Sequence, residues 1–328
     1  MNRERKSARI GLVGAGRTRN GLGPFLARHL AAAGGQVVAV AGRSMSRTST
    51  AAQALAADLG HAVAAHATVE ELVARGDLDA LVIASPIESH LRCLAAAAGA
   101  GLPTLCEKPL GPPAEFVAIE AALARFAARG LLLVENCQWP YAMPAVRRLL
   151  GAAALDDVSV FTMRLCPLAV GWAMVAEAFS HFLSVLQVLR PLGPDARVVD
   201  PEFSTRSAAA TALSVSFTLH GSFAPLACQL DLQRHETQPR PAWMTFDGRR
   251  VDREIELPRY HWRFGSGSSF ESSGDPQVDL VYSFAHLIQE PDLDRTRALA
   301  EDIRQRARLF RDICSAFGGG AFGGPAFG

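Results

Sequence analysis

The sequence predicts an α/β protein in two unlike parts. A doubly wound parallel sheet comes first, and an α+β domain on an open-faced, mainly antiparallel sheet follows. Three observations predict this. Short apolar runs alternate with Ala/Leu-rich helical stretches through about residue 135. A glycine-rich turn follows the first of those runs. From about residue 157 strand-like runs succeed one another with one long helix among them. Length agrees, since 328 residues at about 150 per domain make two domains.

In chain order, the strand at 10–13 leads to a helix at 22–33, and the strand at 37–41 to a helix at 50–59. A strand at 81–84 precedes a helix at 89–100, and a strand at 104–106 precedes a helix at 114–129, with a last strand at 131–134. Runs such as LVIA and LLLV are apolar throughout, which suits strands covered on both faces. In the second half, strands are expected at 158–165, 212–219, 224–232, 242–246 and 249–257, the last pair joined by an Asp247-Gly248 hairpin turn. A helix at 174–189 interrupts them, and an amphipathic helix at 295–313 closes the chain. The expected division is 1–140, 141–317 and a low-complexity Gly/Ala/Phe/Pro tail at 318–328.

Composition excludes several classes. Hydrophobic residues make up 49% and charged residues 20%, the balance of a folded protein rather than a disordered one. Thirty-three Lys and Arg against 32 Asp and Glu leave a net charge of +1, with no surplus to neutralise nucleic-acid phosphates. No apolar run approaches the roughly 20 residues that span a bilayer, so no membrane partner is expected. The six cysteines show no CxxC spacing and no accompanying His cluster, so no metal is expected. Free cysteines and the lack of a signal-peptide core fit the cytoplasm.

Gly14-Ala15-Gly16 supplies two glycines of a dinucleotide fingerprint, with Arg17 beside them. Such glycines permit a tight turn and bring a pyrophosphate onto backbone N–H groups at a helix start. The third position is Arg19, but Gly21 and Gly23 follow, so the turn is expected to be lengthened. An NAD-binding site would carry Asp or Glu at the end of the second strand. Here Ala41-Gly42-Arg43-Ser44 offers a cation and a hydroxyl suited to a 2′-phosphate, and Arg47 adds charge. NADP is therefore the expected cofactor, with NAD as the alternative.

Further along, 82–90 reads VIASPIESH and 105–111 reads LCEKPLG. With the N-terminal GLVGAG, these motifs resemble the Gfo/Idh/MocA oxidoreductase family, which includes glucose–fructose oxidoreductase and inositol dehydrogenase. The resemblance implies that Lys108 is the active-site lysine, that Ser85 and Pro86 form the turn beside the cofactor, and that His90 is a structural family histidine. Lys108 would then stand at the carboxyl end of a parallel strand, placed to stabilise charge on a reacting oxygen. Glu107 is expected to hold that cofactor loop by hydrogen bonds. The resemblance also implies that the second domain binds substrate and joins copies of the chain, as a dimer or tetramer, through its open sheet face.

The helix at 174–189 is apolar almost all round, yet it carries Glu177, His181 and Ser184 at i, i+4 and i+7. A polar stripe on a buried helix must face partners or a cleft. The family resemblance implies that His181 is the general acid/base. It has Asp where this chain has Glu177, and often a second Asp where this chain has Ser184. Glu177 is expected to orient His181. Between the domains, Asn136 and Gln138 can hydrogen-bond a substrate and Trp139 can wall it. Arg164, Trp172, His261 and Trp262 are weaker candidates. The expected activity is hydride transfer between a nicotinamide and a small carbonyl, alcohol (sugar, cyclitol, diol) or imine. The alternative is a catalytically silent, NAD(P)-binding sensor of the same fold.

Overall fold

A computed structural model describes residues 7–16, 21–205 and 209–316. Arg17 and the 318–328 tail lie outside the described residues. The chain forms two compact units, Met1–Asn136 with Val278–Arg304, and Cys137–Gln277 with Gln305–Gly328. These differ from a single division at 140/141, because the chain returns to the first unit at 278–304.

The first unit runs β1 (Ala8–Val13), α1 (Leu22–Ala32), β2 (Gly35–Ala41), α2 (Met45–Leu59), β3 (Ala64–His66), α3 (Val69–Val73), β4 (Ala80–Ile83), α4 (His90–Ala100), β5 (Thr104–Cys106), α5 (Phe116–Ala128) and β6 (Leu133–Glu135). All six strands are parallel, in the order β3-β2-β1-β4-β5-β6. This is the doubly wound order whose carboxyl edge binds dinucleotides. The apolar runs are its buried centre: Ile10, Leu12, Val37, Val40, Leu81 and Val82 are fully enclosed. Sequence reading missed β3 and α3. The three half-buried residues of β3, Ala64–His66, carry no periodicity to detect.

The second unit begins with α6 (Trp139–Leu150) and α7 (Ala153–Asp156). It continues through β7 (Val160–Leu165), α8 (Trp172–Leu189), β8 (Arg197–Thr205), β9 (Ala212–Gly221), β10 (Phe223–Gln233), β11 (Ala242–Phe246), β12 (Arg249–Glu256), β13 (His261–Ser266) and β14 (Ser269–Gly274). The order is β14-β13-β12-β11-β7-β10-β9-β8. Every pairing is antiparallel except β7 with β10. That parallel pair is possible because α8, β8 and β9 form a long crossover between its strands. Edge strand β8 escaped sequence reading because Pro201 interrupts it. The proline sits where the β8–β9 register shifts, between Val199 and Glu202, a place where a sheet tolerates proline.

The core of the second unit lies between this sheet and α8. By length and composition α8 could cross a bilayer, with a mean hydropathy of 1.3, but 67% of it is buried. Phe179 and Phe182 pack against Phe217, and Phe182 stacks on Phe161. Two helices close the chain, α9 (Pro276–Gln289) and α10 (Leu293–Ala316). Sequence reading missed α9, whose buried face is Leu280, Val281, Phe284 and Ala285. Leu309, Phe310 and Ile313 of α10 join the core of the second unit.

Candidate active site

Backbone bonds extend the parallel ladder past the carboxyl ends of the first sheet. Gly14 N–H donates to Ala41 O at 3.1 Å, and Ala84 N–H to Val13 O at 2.8 Å. Glu107 N–H reaches Ile83 O and Asn136 N–H reaches Cys106 O, each at 2.8 Å. The loops bearing Gly14, Ser85, Lys108 and Asn136 thus leave one edge of one sheet, where open α/β sheets hold ligands.

The glycine turn fits a dinucleotide. Gly14 has φ +100°, and a Cβ there would lie 2.5 Å from the Ala84 carbonyl and 2.6 Å from Ser85 N. Only glycine lets the two loops meet. Gly23, in the first turn of α1, would place a Cβ 2.8 Å from Gly14 O. It therefore fills the role of the third fingerprint glycine, close helix-to-strand packing, in place of residue 19. Sequence reading saw a lengthened turn without assigning that role. At Gly16 a Cβ would meet nothing within 4 Å among the described residues, so the chain's own packing does not demand glycine there. What glycine provides at that point is a bare backbone for a phosphate to approach.

At the end of β2, Gly42 passes against the Thr48 hydroxyl, and Thr48 donates to Ser44 O at 2.8 Å. Ser44 is the N-cap of α2, whose first turn holds no acidic residue. Arg43, Ser44 and Arg47 are exposed there, and among the described residues neither arginine forms an ion pair. A positive helix end flanked by two arginines favours an anion.

Side chains lock the remaining loops together. His90, buried at 1% exposure, faces the Ser85 carbonyl with Nε2 at 2.7 Å and the Pro109 carbonyl with Nδ1 at 2.8 Å. It therefore bridges the Ser85-Pro86 turn and the Lys108-Pro109 turn, which gives the structural histidine of the sequence reading a specific role. The Ser85 and Ser89 hydroxyls are 2.7 Å apart, and Ser89 donates to Pro86 O. The Glu107 carboxylate accepts from Lys108 N–H at 2.5 Å and from the Asn136 amide at 3.3 Å. Glu107 thus fastens the lysine's own backbone. Asn136, at 2% exposure, serves this brace.

In the second unit, Glu177 and His181 stand one turn apart on α8, exposed and half-buried respectively. Ser184 leaves the polar stripe: it is fully buried and donates to His181 O at 2.7 Å. Gln138 is the N-cap of α6. Trp139 does not wall a ligand. It is 1% exposed, with its indole packed edge-on against Trp262 at 4.7 Å and near Phe264. An indole is large enough to anchor a core, and burial takes it out of the solvent-facing junction.

Residues 8–137 match the family described as "Oxidoreductase family, NAD-binding Rossmann fold", Gfo/Idh/MocA. An inositol 2-dehydrogenase of Saccharopolyspora erythraea is 37% identical over 125 residues, covering 36% of this chain and 35% of that one. An inositol 2-dehydrogenase of Agrobacterium fabrum is 31% identical over 215 residues, covering 61% and 60%. The matched stretches therefore span about a third to three-fifths of these relatives. The fold likeness runs further. A 3-ketoreductase from Actinomadura kijaniata, solved with TDP-benzene and NADP, superposes with a TM-score of 0.68 at 19% identity, over 94% of this chain and 97% of that one. A UDP-N-acetylglucosamine 3-dehydrogenase from Acidithiobacillus ferrooxidans gives 0.64 at 19% identity, over 93% and 97%. Motifs, strand order and matches agree that residues 8–137 form an NAD-binding Rossmann unit similar to that of the Gfo/Idh/MocA oxidoreductases.

Proposed function

We propose that the protein is an NADP-dependent dehydrogenase or reductase acting on a small carbonyl, alcohol or imine, with Lys108 and His181 at the reacting atom. The observation that carries this reading is the bracing of Lys108. It stands two residues after β5, its N–H is fixed by Glu107, and its neighbour Pro109 is tied through His90 to the Ser85 turn. A lysine held this firmly at the carboxyl edge is a preorganised cation. Gly14, Gly16, Ser85 and Pro86 would hold the dinucleotide, and Arg43 and Ser44 its 2′-phosphate.

The nicotinamide supplies or takes the hydride when bound. Lys108 donates a hydrogen bond to the substrate's oxygen or nitrogen and stabilises the charge that develops there. His181 exchanges the proton at that atom, since imidazole changes charge near neutral pH. Glu177, one turn earlier on α8, orients the imidazole. Gln138 offers an amide to the substrate. The open face of the eight-stranded sheet joins copies of the chain as a dimer or tetramer, and the enzyme works in the cytoplasm.

A second reading keeps the cofactor and drops the chemistry. Ser184 stands where family members often have Asp, and its hydroxyl is engaged by the helix backbone. A silent NADP-binding sensor tolerates that loss. One experiment separates the two. Aldoses, cyclitols, diketones and cyclic imines are offered with NADPH and with NADH, and nicotinamide absorbance is followed. Turnover preferring NADPH is expected. Preference for NADH would overturn the cofactor assignment. Tight NADPH binding without turnover on any of the panel would select the sensor.

A further inference from the structure

His90 is held in a way that fixes how many protons its ring must carry. It is 1% exposed, so solvent cannot complete its hydrogen bonding. Nε2 stands 2.7 Å from Ser85 O, and Nδ1 stands 2.8 Å from Pro109 O. Both are full hydrogen-bond distances, and both partners are carbonyls, which only accept. A neutral imidazole has one N–H and one bare nitrogen. In either neutral tautomer, one ring nitrogen would therefore press its lone pair against a carbonyl oxygen. Turning the ring over does not help, since both oxygens would then face ring carbons. Only the imidazolium, with an N–H on each nitrogen, satisfies both contacts.

Two effects oppose that charge. Burial disfavours any ion, and His90 opens α4, where the helix dipole is positive. Against them stand two short bonds to carbonyl oxygens, each strengthened by the charge. They lie in a place where a bond left unmade is costly. The dipole acts diffusely over the first turn, whereas the two contacts are direct.

The titratable groups of the surrounding segments do not reverse this balance. Cys93 stands one turn along α4; burial pushes its thiol up to about 11, so it is uncharged. The loop after β5 carries Glu107 and Lys108. The Glu107 carboxylate accepts from Lys108 N–H and from the Asn136 amide, two residues before the Pro109 carbonyl that His90 grips. A carboxylate on the gripped loop favours a cation nearby.

We propose that His90 is a structural imidazolium. It carries both ring protons at neutral pH and, as a buried cation, ties the Ser85-Pro86 turn to the Lys108-Pro109 turn. The proton count stands on the hydrogen-bond geometry. What the charge serves rests on the oxidoreductase reading above. There His90 is a positioning residue that acts through the two turns. Its charge adds to the positive field that draws the phosphates of the dinucleotide.

Neutron diffraction from deuterated crystals of the full chain, grown near neutral pD, shows the ring deuterons directly. Density for a deuteron on both Nδ1 and Nε2 of His90 is expected, and a deuteron on one nitrogen alone overturns the proposal. Nitrogen NMR of the histidine-labelled chain reads the same quantity in solution. Both His90 nitrogens should show a one-bond coupling to a proton, and a bare ring nitrogen overturns the proposal equally. The His90 signals are those lost in His90→Gln. Should that variant not fold, the neutron map identifies the ring without any substitution. Where it folds, it keeps a donor and loses the charge, so NADP+ should bind several-fold more weakly. Unchanged NADP+ affinity would overturn the role given to the charge. Failure of the wild-type chain to bind NADP+ would instead count against the oxidoreductase reading, and the proton count would still be decided on the free chain.

Discussion

At the carboxyl edge of the six-stranded sheet, hydrogen bonds fasten the loops that follow β4, β5 and β6. His90 holds two carbonyls, Glu107 takes an amide and a backbone N–H, and Ser85 meets Ser89. On the eight-stranded sheet the Arg253 guanidinium is held by indole faces, 4.5 Å from the Trp262 centroid and 5.3 Å from that of Trp139, and it donates to Arg240 O. The contrast separates two ways of holding a cationic residue. One fixes the backbone that bears Lys108 by hydrogen bonds, and the other packs a guanidinium between aromatic rings.

The sharpest way to break the first arrangement is to remove the group it serves. Lys108→Met keeps the side chain's length and loses its charge. Turnover should fall by about 10²–10³, the usual consequence of losing one electrostatic donor to a reacting oxygen. NADPH binding, followed by fluorescence, should change by less than about tenfold. Full turnover in this variant would remove Lys108 from the chemistry. His181→Ala tests the second unit's contribution on the same scale. A fall of about 10² in turnover, with NADPH affinity retained, is the mark of a lost general acid/base. Glu177→Gln, assayed beside it, should shift the pH profile of turnover, because an orienting carboxylate acts through the imidazole.

How much of this was legible in the sequence follows from where each signal lives. Strand β4, and β1 from Ile10 onward, declared themselves because they carry unbroken runs without polar side chains, closed by turn residues. The EKP motif placed Lys108 because its three residues are adjacent in the chain. Gly23 was visible as a glycine, but its role was not. That role depends on the Gly14 carbonyl lying within 2.8 Å of where its Cβ would be, a contact made by the turn between them. Trp139 was misjudged for a similar reason. An aromatic residue at a domain junction suits either a cleft or a core, and only the positions of Trp262 and Phe264, more than a hundred residues later, decide for the core.

His90 gives a gentler probe of the braced edge. His90→Gln retains one amide donor and can satisfy one of the two carbonyls, Ser85 O or Pro109 O. His90→Phe fills the space and satisfies neither. If His90 positions the two turns, NADPH affinity and turnover should fall together, by about tenfold in the phenylalanine variant and by less in the glutamine one. A residue that only filled the core would give the opposite ranking, since phenylalanine is the better core residue. Thermal unfolding measured alongside distinguishes lost positioning from lost stability.

The smallest effect is expected at the end of β2, where the site is exposed and water competes with every contact. Arg43 and Arg47 flank the N-terminus of α2, and Ser44 caps it without a side-chain hydrogen bond to the helix. Among the described residues neither arginine forms an ion pair, in contrast to the bracing of Lys108. Arg43→Gln should therefore weaken NADPH several-fold, and NADH hardly at all, because only NADPH carries the 2′-phosphate. The ratio of the two affinities is the quantity to measure. Raising the salt concentration should reduce the wild-type preference for NADPH in the same direction, as screening of an exposed charge requires. A ratio unmoved by both the substitution and salt would mean that neither Arg43 nor the helix end reads the phosphate. The end of β2 would then have to discriminate cofactors by shape alone.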